Sequence, residues 1–167
     1  SLIAEGIASF AGVDRRFEDV GEAEGVRVID DYAHHPTEVE ATLRAAREVY
    51  PARRIVAIFQ PHLYSRTRDF AAEFGRALAL ADRVFVTDVY AAREAPIAGI
   101  TGEMIVDAAR AAGAEVRYIA DRDDVADEVA AELTSGDVCL TLGAGNLDTA
   151  ARGILAILGG ATAAGAR

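Results

Sequence analysis

A strand, a polar loop and a helix follow one another twice in the first half of this chain. Each loop is crowded with side chains able to do chemistry. The first unit begins at the apolar-rich stretch Val26, Val28 and Ile29 and passes through Asp30-Asp31-Tyr32-Ala33-His34-His35. Pro36 then opens a helical pattern with Val39, Leu43 and Ala46 on one face, predicting a helix over 36–50. Proline suits a first helical turn, where its missing N–H costs nothing, and Glu38 and Glu40 suit the positive end of the helix dipole. The second unit begins at Arg53-Arg54-Ile55-Val56-Ala57-Ile58-Phe59, a buried strand with a basic start. It continues through the polar run Gln60 to Asp69 into a helical stretch from Phe70 to Leu80. Such units in series demand parallel strands with crossover helices. Both loops therefore emerge at the carboxyl edge of one sheet, where α/β folds collect their ligands.

The rest of the chain continues the alternation. Strands are predicted over 83–88, 115–119 and 137–142, with helices over 101–112, 123–133 and from Gly145-Asn146 to about Leu158. Phe17–Val20 and Val26–Ile29 flank the turn-like Gly21–Gly25 and predict a hairpin. The expected fold is α/β: a Rossmann-like, doubly wound, mainly parallel sheet with a short N-terminal hairpin. Leu2, Ile3, Ile7 and Phe10 form an apolar stripe, so residues 1–10 are expected to end a helix from a preceding domain. Residues 11–158 make up the domain and 159–167 a flexible tail.

Composition narrows the partners. A net charge of −10 argues against nucleic acid, which needs a basic surface. No apolar run approaches the roughly 20 residues that span a bilayer, so no membrane association is expected. The lone Cys139 lies in an apolar strand and offers no disulfide framework, in keeping with the cytoplasm. No Cys or His spacing resembles a zinc site, so no metal is assigned to this chain.

Against that acidic background, His62, Arg66 and Arg68 suggest a local anion site, since Arg forks bind carboxylate or phosphate bidentately. Asp30 and Asp31 point to opposite sides of a strand end, so one of them at most faces a ligand. Asp88-Val89-Tyr90-Ala91-Ala92-Arg93-Glu94 offers a third polar loop to the same edge. Gly143-Ala144-Gly145-Asn146 is half a dinucleotide fingerprint, with Asp148 where the third glycine belongs, and a tight strand-to-helix turn explains it. No G-x-x-x-x-G-K-[ST] phosphate loop is present, and the chain contains no lysine. A nicotinamide or flavin oxidoreductase is disfavoured on the glycine pattern. A non-catalytic nucleotide- or anion-binding module remains as the alternative.

D-D-Y-A-H-H-P-T-E-V, F-Q-P-H-L-Y-S-R-T-R-D, D-V-Y-A-A-R-E-A-P-I, G-A-G-N and the leading G-V-D-R-R-F-E occur in this order. Together they resemble the C-terminal domain of the Mur ligases, and among these the members that join L-alanine to UDP-N-acetylmuramate. The likeness runs from about Ile7 to Leu158. It implies an ATP- and Mg2+-dependent, amide-forming ligase of peptidoglycan precursor synthesis whose other domains carry the UDP-sugar site and the phosphate loop. It also implies that this domain is inactive alone. By the same resemblance, Tyr32, His34, His62 and Arg66 surround L-alanine, and Asp31 lies near the ATP ribose. Two departures stand out: Leu63 replaces a frequent Arg and Ala33 a frequent Gly.

Overall fold

The structure is a computed structural model that describes residues 15–165, with side chains through 160; the helix expected over residues 1–10 lies outside them. Six strands form one sheet: β1 (Glu18–Ala23), β2 (Val26–Asp31), β3 (Ile55–Phe59), β4 (Arg83–Val86), β5 (Val116–Tyr118) and β6 (Val138–Leu142). Their order is β1-β2-β6-β3-β4-β5. β1 is antiparallel to β2, and every other pairing is parallel. The helices are α1 (Pro36–Val49), α2 (Tyr64–Leu78), α3 (Glu103–Ala111), α4 (Val125–Ala130) and α5 (Asp148–Gly165).

Strand alternation sorts the core into two layers. Ile55, Ala57 and Phe59 point to the face covered by α1, α2 and α3, among Val39, Leu43, Phe74, Leu78 and Ile105. Val56 and Ile58 point to the other face, among Val125 and Val129 of α4 and Ala151 and Ile154 of α5. With both faces covered, β3 and β6 are buried along their whole length, which is why they read as unbroken apolar runs. Cys139 lies in the second layer; burial, with Asp137 nearby, pushes its thiol up to about 12, so it packs as a small hydrophobe.

Beyond shifts of one to three residues elsewhere, three boundaries differ from the sequence expectation. The hairpin turn is Glu24-Gly25, at φ 52° and 75°, and not the whole of Gly21–Gly25. Two successive positive-φ residues match the right-handed twist of the strands, so β1 continues through Gly21 after a register shift. The final helix continues past Leu158 to Gly165, running through Gly159 and Gly160 although glycine has low helical propensity. The third difference bears on the site: α2 begins at Tyr64 rather than near Phe70. Its residue before the helix, Leu63, has no capping side chain. Glu94 from a different loop accepts from the Ser65 backbone N–H at 3.0 Å and from the Ser65 hydroxyl. A cap supplied from 29 residues away cannot be read from local sequence. Where the expected helix would have begun, Phe70 sits at φ −121°, a kink inside the observed one.

Helix α2 packs backbone to backbone on α3 through Gly75: a Cβ built there would lie 2.4 Å from the Ala108 carbonyl carbon. Neither backbone can give way cheaply. Gly75→Ala is therefore expected to destabilise the fold by about 1–3 kcal/mol, the usual range for overpacking. Urea unfolding measures this, and an unchanged midpoint would contradict the close approach. Among the described residues, no helix is long and apolar enough to cross a membrane.

Candidate functional site

Four loops leave the carboxyl edge of the sheet side by side, after β2, β3, β4 and β6. Backbone bonds hold the second and third together: Tyr90 N–H donates to the Pro61 carbonyl at 2.8 Å, and Leu63 N–H to the Tyr90 carbonyl at 3.0 Å. Gln60 joins the second loop to the fourth. Its amide donates to Asn146 Oδ1 at 3.0 Å and its Oε1 accepts from the Asn146 backbone N–H at 3.2 Å. Gly145 must be glycine here, because a Cβ would meet Gln60 Oε1 at 2.3 Å and the Tyr90 ring at 2.8 Å. The half fingerprint is thus a tight turn shaped by its neighbours, as its sequence suggested.

On this platform the side chains form one continuous row. Tyr32 meets His34 edge-on with ring centroids 5.2 Å apart, and His34 meets His62 edge-on at 5.9 Å. His62 stacks on Tyr90 at 5.8 Å. Arg66, in the first turn of α2, reaches back so that Nη1 lies 3.2 Å from His62 Nδ1. Burial, the Arg66 charge and His34 together lower the His62 pKa from its ordinary 6.5, against a smaller opposing pull from Glu94. His62 is therefore a neutral imidazole at pH 7. The four candidates Tyr32, His34, His62 and Arg66, drawn from two loops thirty residues apart in sequence, stand together. Arg68 does not join them; it is exposed and pairs with Asp69 at 2.8 Å.

The two adjacent aspartates separate as strand alternation requires. Asp30 is buried and takes Arg15 Nε at 2.8 Å and the Thr141 hydroxyl at 2.5 Å. Asp31 lies on the other side, where its two oxygens accept from the Ala33 and Phe17 backbone N–H groups, each at 2.8 Å. Desolvation raises the Asp31 pKa and Asp30 adds to this, while the Ala33, Phe17 and Thr42 bonds pull it back. Asp31 is therefore at once a loop-shaping residue and a carboxylate at the site's margin.

Local sequence explains how the first loop is held. His35 caps α1, its ring accepting from Thr37 N–H, and Glu38 answers by accepting from the His34 and His35 N–H groups at 3.0 and 3.1 Å. Sequence reasoning left three contributors without a role: Arg15, Glu94 and the Gln60–Asn146 pair. Arg15 Nη1 and Nη2 donate to the Gly145 and Gly143 carbonyls at 2.8 and 2.7 Å, and its guanidinium lies over the Tyr32 ring at 5.3 Å. Their signal in sequence was only membership of polar runs. Among the described residues, no group of three His, Cys, Asp or Glu side chains is placed to hold a metal ion.

The family described as Mur ligase, glutamate ligase domain, matches residues 15–145, which takes in the first three loops of this site and the Gly143–Gly145 start of the fourth. The chain belongs to the Mur ligase family. Over 156 residues it is 56% identical to the UDP-N-acetylmuramate–L-alanine ligase of Kineococcus radiotolerans, covering 93% of this chain and 33% of that protein. The UDP-N-acetylmuramate–alanine ligase of Thermotoga maritima superposes with a TM-score of 0.76 at 31% identity, over 94% of this chain and 33% of the other. The chain thus spans about a third of the curated relatives it matches. A separately crystallised domain of a Haemophilus ducreyi protein has the same fold, with a TM-score of 0.66 at 24% identity, and this Mur ligase domain covers 99% of it.

Proposed function

We propose that this chain is the amino-acid-binding domain of an ATP-dependent ligase that joins L-alanine to UDP-N-acetylmuramate in the cytoplasm, a step of peptidoglycan precursor synthesis. The observation that carries this is the row Tyr32, His34, His62 and Arg66 on one sheet edge. The Arg66 fork supplies the charge that an α-carboxylate needs. His62, neutral and stacked on Tyr90, adds directional hydrogen bonding, with His34 and Tyr32 next to it in the row. The 56% identity to an L-alanine-adding relative points the same way.

The chemistry assigned to the whole enzyme is activation of the muramyl carboxylate by ATP, followed by attack of the alanine amine on the acyl phosphate. Neither a phosphate loop nor a lysine occurs in this chain, and no metal cluster occurs among its described residues. ATP activation and Mg2+ binding are accordingly assigned to the remainder of the ligase. Domain closure would bring this edge over the acyl phosphate and exclude water from it.

Asp31 is assigned to the ATP ribose. Its oxygens accept from the Phe17 and Ala33 N–H groups and from Thr42, which leaves about one of a carboxylate's roughly four lone-pair sites for a sugar hydroxyl. Asp31→Asn in the full-length ligase is expected to weaken ATP by about 1–2 kcal/mol with little effect on L-alanine. With 2′,3′-dideoxy-ATP, wild type and variant should bind almost alike. A variant still markedly worse with that analogue would restrict Asp31 to shaping the loop through Phe17 and Ala33.

A further inference from the structure

The two histidines of the row hold opposite tautomers, and the hydrogen bonds behind them fix which is which. His34 Nδ1 lies 2.9 Å from the Tyr32 carbonyl oxygen, an obligate acceptor, so Nδ1 carries the proton. His62 Nδ1 lies 3.2 Å from Arg66 Nη1, an obligate donor, so that nitrogen is the acceptor and Nε2 carries the proton. The rings stand 5.9 Å apart, centroid to centroid. His34, whose side chain is 26% exposed, thus keeps its lone pair on Nε2, while in its neighbour Nε2 carries the N–H. Behind His34, Glu38 Oε2 lies 3.4 Å from Nδ1. A carboxylate in that position holds the tautomer and stabilises an imidazolium, as the orienting acid does in a nucleophile–base pair. Glu38 is kept ionised: although burial opposes this, bonds from the His34 and His35 N–H groups, His34 itself and nearby Arg16 lower its pKa. The groups facing His34 are therefore Tyr32, Glu38 and His62, with Arg16 beyond Glu38 and Arg66 beyond His62.

We infer that His34 is the proton acceptor for the attacking amine, and that His62 serves as donor and anchor rather than base. This rests on the proposed ligase function. Dissolved amino acids carry an ammonium group, which has no lone pair to attack with. His34 Nε2 takes one proton from it and becomes an imidazolium braced by Glu38 and the Tyr32 carbonyl. The freed nitrogen lone pair forms the C–N bond to the acyl-phosphate carbonyl carbon. The tetrahedral adduct collapses with breakage of the carbon–oxygen bond to phosphate. The second nitrogen proton passes to the departing phosphate, giving hydrogen phosphate, and His34 later releases its proton to water.

The test compares nucleophiles in the full-length ligase. General base catalysis is worth about 10²- to 10⁴-fold, so His34→Gln should lower kcat for L-alanine by that factor. Hydroxylamine is already unprotonated at neutral pH, and the variant should convert it to the hydroxamate at close to the wild-type rate. The variant's remaining rate with L-alanine should climb with pH as the free amine accumulates. Equal losses with both nucleophiles, in a background where wild type ligates alanine, would overturn the proton-transfer role alone. Wild-type enzyme that forms the hydroxamate but no alanine amide would overturn the substrate assignment as well. Independently of any variant, ring-nitrogen NMR of the 167-residue chain at mildly alkaline pH should find His34 protonated at Nδ1 and His62 at Nε2. The reverse pattern would overturn the inference.

Discussion

Arg66→Ala in the full-length ligase is expected to raise the Michaelis constant for L-alanine about 10- to 150-fold, the kinetic equivalent of a lost charge-assisted pair worth about 1.5–3 kcal/mol. The constant for ATP should move far less. Arg66 lies at the start of α2, its guanidinium aimed across His62 rather than toward Asp31, which sits on β2 with its oxygens on Phe17 and Ala33. The same geometry predicts a pH effect. His62 has a lowered pKa and accepts from Arg66 only when neutral. Acidification through its titration, below 6.5, places two cations side by side and should weaken L-alanine binding in the wild type. Equal changes in both Michaelis constants for Arg66→Ala would mean that Arg66 shapes the closed enzyme as a whole.

The largest expected stability effect comes from a residue outside the row. Arg15→Ala would leave the Asp30 carboxylate, whose side chain is 3% exposed, without its cation. It would also free the Gly143 and Gly145 carbonyls. Removing one partner of a buried pair typically costs 3–5 kcal/mol. Because Arg15 is itself 19% exposed, water softens the loss, and about 3 kcal/mol is expected. For a chain of this length that is roughly 6–12 °C in Tm. Arg15→Ala with Asp30→Asn should recover part of the loss, because the uncompensated charge is gone. Full stability of the single variant would show that Arg15 does not hold the glycine turn.

The fold was legible because its signals are local and periodic. Buried parallel strands read as apolar runs such as Ile55–Phe59 and Val138–Leu142, and α1 announced itself through Pro36 and the Val39, Leu43, Ala46 stripe. The start of α2 was not legible, since Glu94 caps it from another loop. The same division runs through the site. Residue types and their place at strand ends brought the two polar loops into view, and the family resemblance singled out Tyr32, His34, His62 and Arg66 within them. Which nitrogen faces which partner depends on contacts across loops, and so does the anchoring of the Gly143–Gly145 turn by Arg15. Strand alternation separated Asp30 from Asp31 correctly, but sequence could not say that Asp30 would be buried against Arg15 and Thr141.

The most direct test of the central claim is amide formation by the full-length ligase, followed with UDP-N-acetylmuramate, ATP, Mg2+ and labelled L-alanine, glycine or L-serine in turn. The expected result is amide formation and stoichiometric phosphate release with L-alanine preferred, and no phosphate release by the 167-residue chain alone. Ligation that ignores L-alanine in favour of another amino acid, or phosphate release by the chain alone, would contradict it.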